Sequence, residues 1–125
     1  MPHDPQDLLN IIAQAIYDKK GVNILALDLR RLKTITDFVV IAEGSVDRHV
    51  IAIATAVEEA LAKIGEKPSY VQGLEYGDWV VLDYMDLMIH LFAPGVREKY
   101  HLEELWKAGE IVELSINISS YGSAS

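Results

Sequence analysis

The feature that most confines this chain is an apolar run that does not alternate. Asp37-Phe38-Val39-Val40-Ile41-Ala42 places five apolar residues in succession, followed at once by Gly44-Ser45 and a helical pattern. A strand that is apolar on both faces has to be covered on both, so it belongs in the middle of a sheet with helices packed against it. Beyond the Gly-Ser step, Val46, Val50, Ile53, Val57, Leu61 and Ile64 recur at spacings of three and four, one stripe of helical period, and Gly65 closes the element.

The remaining elements fall around that pair. Asp7 is a candidate cap for a first helix whose stripe is Leu8, Leu9, Ile11, Ile12, Ala15 and Ile16. Lys19 and Lys20 suit the negative end of its dipole, and Gly21 is placed to stop it in the left-handed conformation. Residues 23–29 read as a strand, Arg30 to Thr36 as a polar connection, and Pro68 to Val71 as a short edge strand. After a turn at Tyr76-Gly77-Asp78, Trp79 to Tyr84 and Leu87 to Phe92 form a tight hairpin linked by Met85 and Asp86. Pro94-Gly95 breaks the sheet, a short helix contains Arg97 to Tyr100, and a further turn lies near Leu102 to Trp106. The order α-β-β-α-β-β-β-α specifies an α/β (α+β) fold, a single mixed β-sheet of about five strands flanked by helices. At 125 residues the chain is expected to form one domain over 1–125, with residues 117–125 a loose polar tail.

Charge narrows the partners. Residues 1–40 are neutral, so the whole net charge of −8 lies in residues 41–125. Naked nucleic acid is disfavoured as a partner, because phosphate contacts need clustered Lys and Arg, and a basic protein is favoured. No stretch is apolar for long enough to span a membrane. The absence of Cys removes thiolate chemistry and Cys-type zinc sites. With no visible leader, the cytosol is the expected compartment.

Three constellations bear on catalysis. Gly44-Ser45 at a strand-to-helix turn is where a nucleotidyltransferase would hold a phosphate. Such an enzyme also needs two carboxylates on one strand face for magnesium, and Asp83 and Asp86, three apart, do not supply that spacing. His3, His49, His90 and His101 lack zinc-ligand spacing. His90 reads as a hydrogen-bonded structural group or a surface contact, and His49, in the first turn of the long helix, as solvent-facing, the alternative being a specific hydrogen bond or a binding role. Ser45, Asp47 and His49 lack the turn that makes a serine nucleophilic. No cofactor, metal or enzymatic activity is expected, and the alternative is a nucleotide-binding protein using Gly44 and Ser45.

The hairpin is more informative. From Pro68 to Val96 there is no Lys or Arg, while Glu75, Asp78, Asp83 and Asp86 all occur there among Tyr70, Tyr76, Trp79, Tyr84, Met85, Met88 and Phe92. Aromatics and methionines beside acids build an interaction face for a basic protein. The candidate partner-binding residues are Trp79, Tyr84 and Met85 as apolar anchors, with Glu75, Asp83 and Asp86 facing the partner's cations. Trp79 and Tyr84, five apart, point to opposite faces of a regular strand, so both reach one partner only if Tyr84 is already in the turn. The same apolar face could serve a homodimer of the free protein.

Gly73-Leu74-Glu75-Tyr76-Gly77-Asp78-Trp79-Val80-Val81-Leu82-Asp83-Tyr84 resembles the central signature of the ribosomal silencing factor family, RsfS, also called Iojap or YbeB. Asp37 to Ser45 followed by Arg48-His49-Val50 is similar to its strand-turn-helix block. His90-Leu91-Phe92, Arg97 to Tyr100 and Leu102 to Trp106 resemble its closing block, so the likeness covers about residues 5–116. Glu43, where the family usually carries a small or hydroxyl residue, and His101, where an acid commonly stands, depart from the pattern. The resemblance implies a nucleotidyltransferase-like core without catalytic carboxylates. It also implies a non-catalytic protein that binds the large ribosomal subunit through its ribosomal protein number fourteen. There it would block joining of the small subunit, repressing translation, and would assist large-subunit assembly.

Overall fold

The computed structural model describes residues 3–34, 36–98, the backbone of 99–100, and residues 107 and 109–118. Helix α1 spans Pro5–Asp18, strand β1 Val22–Asp28, a single 3-10 turn Arg30–Leu32, β2 Phe38–Glu43 and α2 Asp47–Ala62. Then follow β3 Tyr70–Gln72, β4 Trp79–Asp83, β5 Leu87–Phe92, α3 Val96–Tyr100 and β6 Glu110–Ile111. The six strands form one sheet in the order β3-β4-β5-β2-β1-β6. β2 and β5 run parallel and every other neighbouring pair antiparallel, so the sheet is mixed. The turn anticipated near Leu102 to Trp106 and residues 119–125 lie outside the described residues.

The non-alternating run is central, as its composition requires. Phe38, Val40 and Ala42 of β2 join Ile89 and Leu91 of β5 in the main core, beneath Leu9, Ile12 and Ile16 of α1 and Val50, Ile53 and Val57 of α2. Val39 and Ile41 face the other way into a smaller cluster with Leu27, Leu29 and Phe92, joined by Leu25, Trp79 and Val96. Both long helices therefore lie on one face of the sheet. No helix among the described residues is long and apolar enough to cross a membrane.

Several boundaries differ from the sequence reading, each for a local reason. The cap of α1 is Asp4 rather than Asp7: its carboxylate accepts the Gln6 N–H at 3.1 Å, and Pro5, which has no N–H to satisfy, opens the first turn. The left-handed residue after α1 is Lys20, at φ 67°, and not Gly21. Gly21 is needed for closeness instead, since a Cβ there would strike the Ile16 side chain and meet Ile53. Helix α2 starts at Asp47 with Val46 as an extended, exposed N-cap, so Val46 stands outside the buried stripe it was counted in. Gly65 does end the following turn, at φ 84°. The turn between β4 and β5 takes in Tyr84 as well as Met85 and Asp86.

A sixth strand stands where about five were anticipated. Glu110 and Ile111 pair with Asp28 and Leu27 on the edge of β1. Residues 113–117 then run beside α1, where Gln6 donates to the Glu113 carbonyl at 3.0 Å. Asn10 and Gln14 accept the Ser115 and Asn117 N–H groups at 3.0 and 2.6 Å. Side chains one helical turn apart thus match alternate residues of an extended chain, two repeats of roughly 6 and 6.7 Å.

Candidate functional site

The hairpin of β4 and β5 presents two unlike faces. Val80 and Leu82 point under the helices, while Trp79, Val81 and Asp83 share the opposite face. Register sets rows across that face: Tyr70, Asp83 and Met88 lie side by side, then Gln72, Val81 and His90, then Trp79 and Phe92.

Trp79 is half-buried within an aromatic group. Its indole N–H donates to Nδ1 of His90 at 3.1 Å, and its ring centroid lies 5.5 Å from that of Phe92. An indole N–H can only donate, so Nδ1 accepts and the proton of the neutral imidazole sits on Nε2. Burial pushes the His90 pKa down to about 4, so the ring is neutral at physiological pH. Of the two readings its strand position left open, His90 is the hydrogen-bonded structural group and not a surface contact.

Asp83 closes β4. Its carboxylate accepts the Met85 N–H at 2.8 Å, and its carbonyl accepts the N–H and hydroxyl of Ser69 at 2.7 and 3.0 Å. The side-chain bond is an Asx turn, and it supports Met85 at φ 75°, a conformation few non-glycine residues adopt. Met85 is consequently held out into solvent, 68% exposed. Asp86, also exposed, accepts both the Asp37 and Phe38 N–H groups at its carbonyl, at 2.9 and 3.0 Å.

Tyr84 stands in the turn, yet its ring packs against the helix-side core rather than beside Trp79. Its hydroxyl is buried with no hydrogen-bond partner among the described residues. Burial, reinforced by Glu58 and Glu66, pushes its pKa up to about 12. Glu75 is exposed at the other end of the hairpin, in the loop from β3 to β4 that also exposes Leu74 and Tyr76. Gly73 and Gly77, at φ 88° and 76°, let this loop fold back. A Cβ at Gly73 would strike the Trp79 carbonyl, and one at Gly77 would crowd the Asp47 carbonyl.

Of the six sequence-derived residues, Trp79 and Asp83 share a face, Met85 is exposed at the turn that ends it and Glu75 in the loop at its other end, while Tyr84 and Asp86 lie toward the helix side. Sequence reasoning left Tyr70, the cross-strand neighbour of Asp83, and His90, the partner of Trp79, outside that set. Strand alternation carried the signal for both, once the register was known.

The Gly44-Ser45 turn uses its own donors. The Gly44 N–H bonds the Phe92 carbonyl at 2.9 Å, and the Ser45 N–H bonds Nδ1 of His49 at 2.8 Å. With Nδ1 accepting, Nε2 of His49 donates to the Lys19 carbonyl at 2.6 Å. His49 is therefore not solvent-facing, as its helical position suggested. It is half-buried and ties the start of α2 to the end of α1. Its second nitrogen faces Lys19 and not Asp47, so Ser45, His49 and Asp47 do not form a triad. Among the described residues no group of three or more His, Asp or Glu is placed to hold a metal ion.

The one residue here that departs from the expected family pattern has a partner. Glu43 accepts from the Arg97 guanidinium at 3.1 Å, and the same nitrogen donates to the Asn23 carbonyl at 2.7 Å, with the Arg97 and Glu43 side chains 7% and 13% exposed.

The profile described as "Ribosomal silencing factor during starvation", RsfS, matches residues 2–123. Ribosomal silencing factor RsfS of Zymomonas mobilis is 36% identical over 107 residues, covering 86% of this chain and 80% of that protein. The murine protein named "Mitochondrial assembly of ribosomal large subunit protein 1" is 31% identical over 101 residues, 78% of this chain and 44% of its own length. A crystal structure of a protein from Chromobacterium violaceum superimposes with a TM-score of 0.81 at 30% identity, covering 92% of this chain and 95% of that one.

Proposed function

The chain belongs to the ribosomal silencing factor family, RsfS, and from that membership we propose that it binds the large ribosomal subunit through its ribosomal protein number fourteen. Once docked, it prevents the small subunit from joining by occupying space, and translation falls without any bond being made or broken. A role in large-subunit assembly follows the name of the murine relative.

The observation that carries this reading is the hairpin face. Exposed Tyr70 and Met85 and the half-buried Trp79 lie among Glu75, Asp78, Asp83 and Asp86, on a segment from Pro68 to Val96 that has no Lys or Arg. Such a face attracts a basic protein by long-range charge and holds it by desolvated aromatics. Its partner-binding residues are Trp79, Asp83, Met85, Asp86 and Glu75, with Tyr84 acting from beneath the turn. An interface of about 1,200–2,000 Å² in total is sufficient for stable docking. In free solution the same face pairs with a second copy, so self-association competes with ribosome binding.

The internally satisfied donors at Gly44 and Ser45 weigh against the nucleotide-binding alternative. Thermal melts with nucleoside triphosphates and magnesium discriminate: clear stabilisation favours that alternative. Co-sedimentation with purified large subunits tests the main reading, which expects saturable binding and none to small subunits. Indifference to isolated large subunits contradicts it.

A further inference from the structure

Where β2 and β5 begin side by side, a cleft of about 200 Å³ opens between the first turns of α1 and the turn entering β5. Its wall is apolar, made by Pro5, Leu8, Leu9, Phe38 and Leu87. Among the described residues the rest of the lining is Asp37 and Asp86, both exposed. The Asp86 carbonyl clamps the Asp37 and Phe38 N–H groups, and Phe38 pairs with Leu87. The two aspartates therefore head adjacent parallel strands, whose backbones lie about 5 Å apart.

The neighbouring cation is already committed. Arg30 lies over the Phe38 ring, 4.9 Å from its centroid; its guanidinium is bonded to Asp28 with a shortest contact of 2.7 Å, and it also feels the charge of Asp37. The adjoining depression beneath Tyr84 has a volume of about 20 Å³, enough for about one water, and does not lengthen the cleft.

An occupant has to satisfy both parts. Among the described lining residues an anion meets two aspartates and no donor side chain. A purely apolar group strips water from those carboxylates without replacing it. A long cationic side chain fits both, since its methylene stem lies along apolar surface while its head stays with the acids at the mouth.

We propose that this cleft receives a lysine or arginine side chain of the basic partner protein, with its stem between α1 and Leu87 and its cation held by Asp37 and Asp86. The proposal rests on the docking reading above and adds to it a residue, Asp37, and an element, α1, outside the hairpin. It extends the contact around the end of the sheet to the helix side.

The test uses the full chain and two readouts. The first is a titration with n-butylguanidinium chloride, followed by the methyl resonances of Leu8, Leu9 and Leu87, with neutral n-butylurea as control. The cation is expected to give saturable shifts that the control does not, and Asp37→Asn with Asp86→Asn is expected to weaken them at least about fivefold. The second is co-sedimentation of Asp37→Asn alone with large subunits, expected to be about tenfold weaker than wild type at equal salt. Both substitutions keep side-chain size and the main-chain clamp. If the wild-type chain ignores large subunits, the docking reading fails, and the guanidinium titration still judges the cleft. Wild-type chain that co-sediments no better than Asp37→Asn, or guanidinium binding that survives both substitutions, overturns the proposal.

Discussion

Protonating His90 should unlock the aromatic group that positions Trp79, and the size of the effect follows from the structure. The ring is 7% exposed, accepts the indole N–H, and has its pKa lowered by burial from 6.5 to about 4. A tenfold change in a protonation equilibrium is about 1.36 kcal/mol, so the full linkage is roughly 3 kcal/mol. Its direction is set by the lowered value. Above about pH 6.5 neither state is protonated and the contribution is complete; as pH falls the unfolded chain takes up a proton that the folded chain refuses. Stability is therefore lost between about pH 6.5 and pH 4, with about 2 kcal/mol gone by about pH 5. The assay is denaturant unfolding of wild type and His90→Asn at a series of pH values. Carboxylates titrate in both proteins, so the difference between the two curves isolates His90. The variant is expected to be less stable at neutral pH and to lack this part of the acid slope. Parallel curves would refute the reasoning, because they would mean that the folded ring takes up protons as readily as the unfolded one.

Other substitutions separate binding from folding. Trp79→Ala should weaken large-subunit binding by about 2 kcal/mol, roughly thirtyfold in Kd by co-sedimentation, while a folded variant that binds normally removes Trp79 from the interface. Asp83→Lys with Asp86→Lys should chiefly slow association and flatten its dependence on salt, read by stopped-flow mixing with large subunits. Arg97→Met leaves the Glu43 carboxylate buried without its cation and should cost about 3–5 kcal/mol in urea unfolding; Glu43→Gln with Arg97→Met should recover part of that loss.

The sequence was legible where one element settles its own environment. The uniform burial of Phe38 to Ala42 in β2 follows from a run with no polar residue in it, and the long stripe of α2 follows from its period. Ends and faces were less legible. Asp4 and Asp7 are equally good caps by type, and the choice falls to Asp4 because Pro5 follows it. Gly21 and Lys20 exchanged the roles their types suggest, because crowding by Ile16 and Ile53 comes from tertiary packing. Strand β6 has two exposed residues and no alternation to announce it.

In the candidate site, alternation separates Trp79 from Tyr84, but only the backbone of Met85 and the Asp83 turn show where the strand stops. The neighbours that give the site its chemistry are remote in sequence. His90 beside Trp79 and Asp37 beside Asp86 are set by strand register, which no local pattern encodes.

Light scattering from a mixture of purified large and small subunits, titrated with this protein, bears most directly on the account. Subunit joining should fall in step with occupancy of the large subunit, and Trp79→Ala should require proportionally more protein for the same loss. Large subunits saturated with the protein that still join small subunits at the normal rate and extent would contradict it.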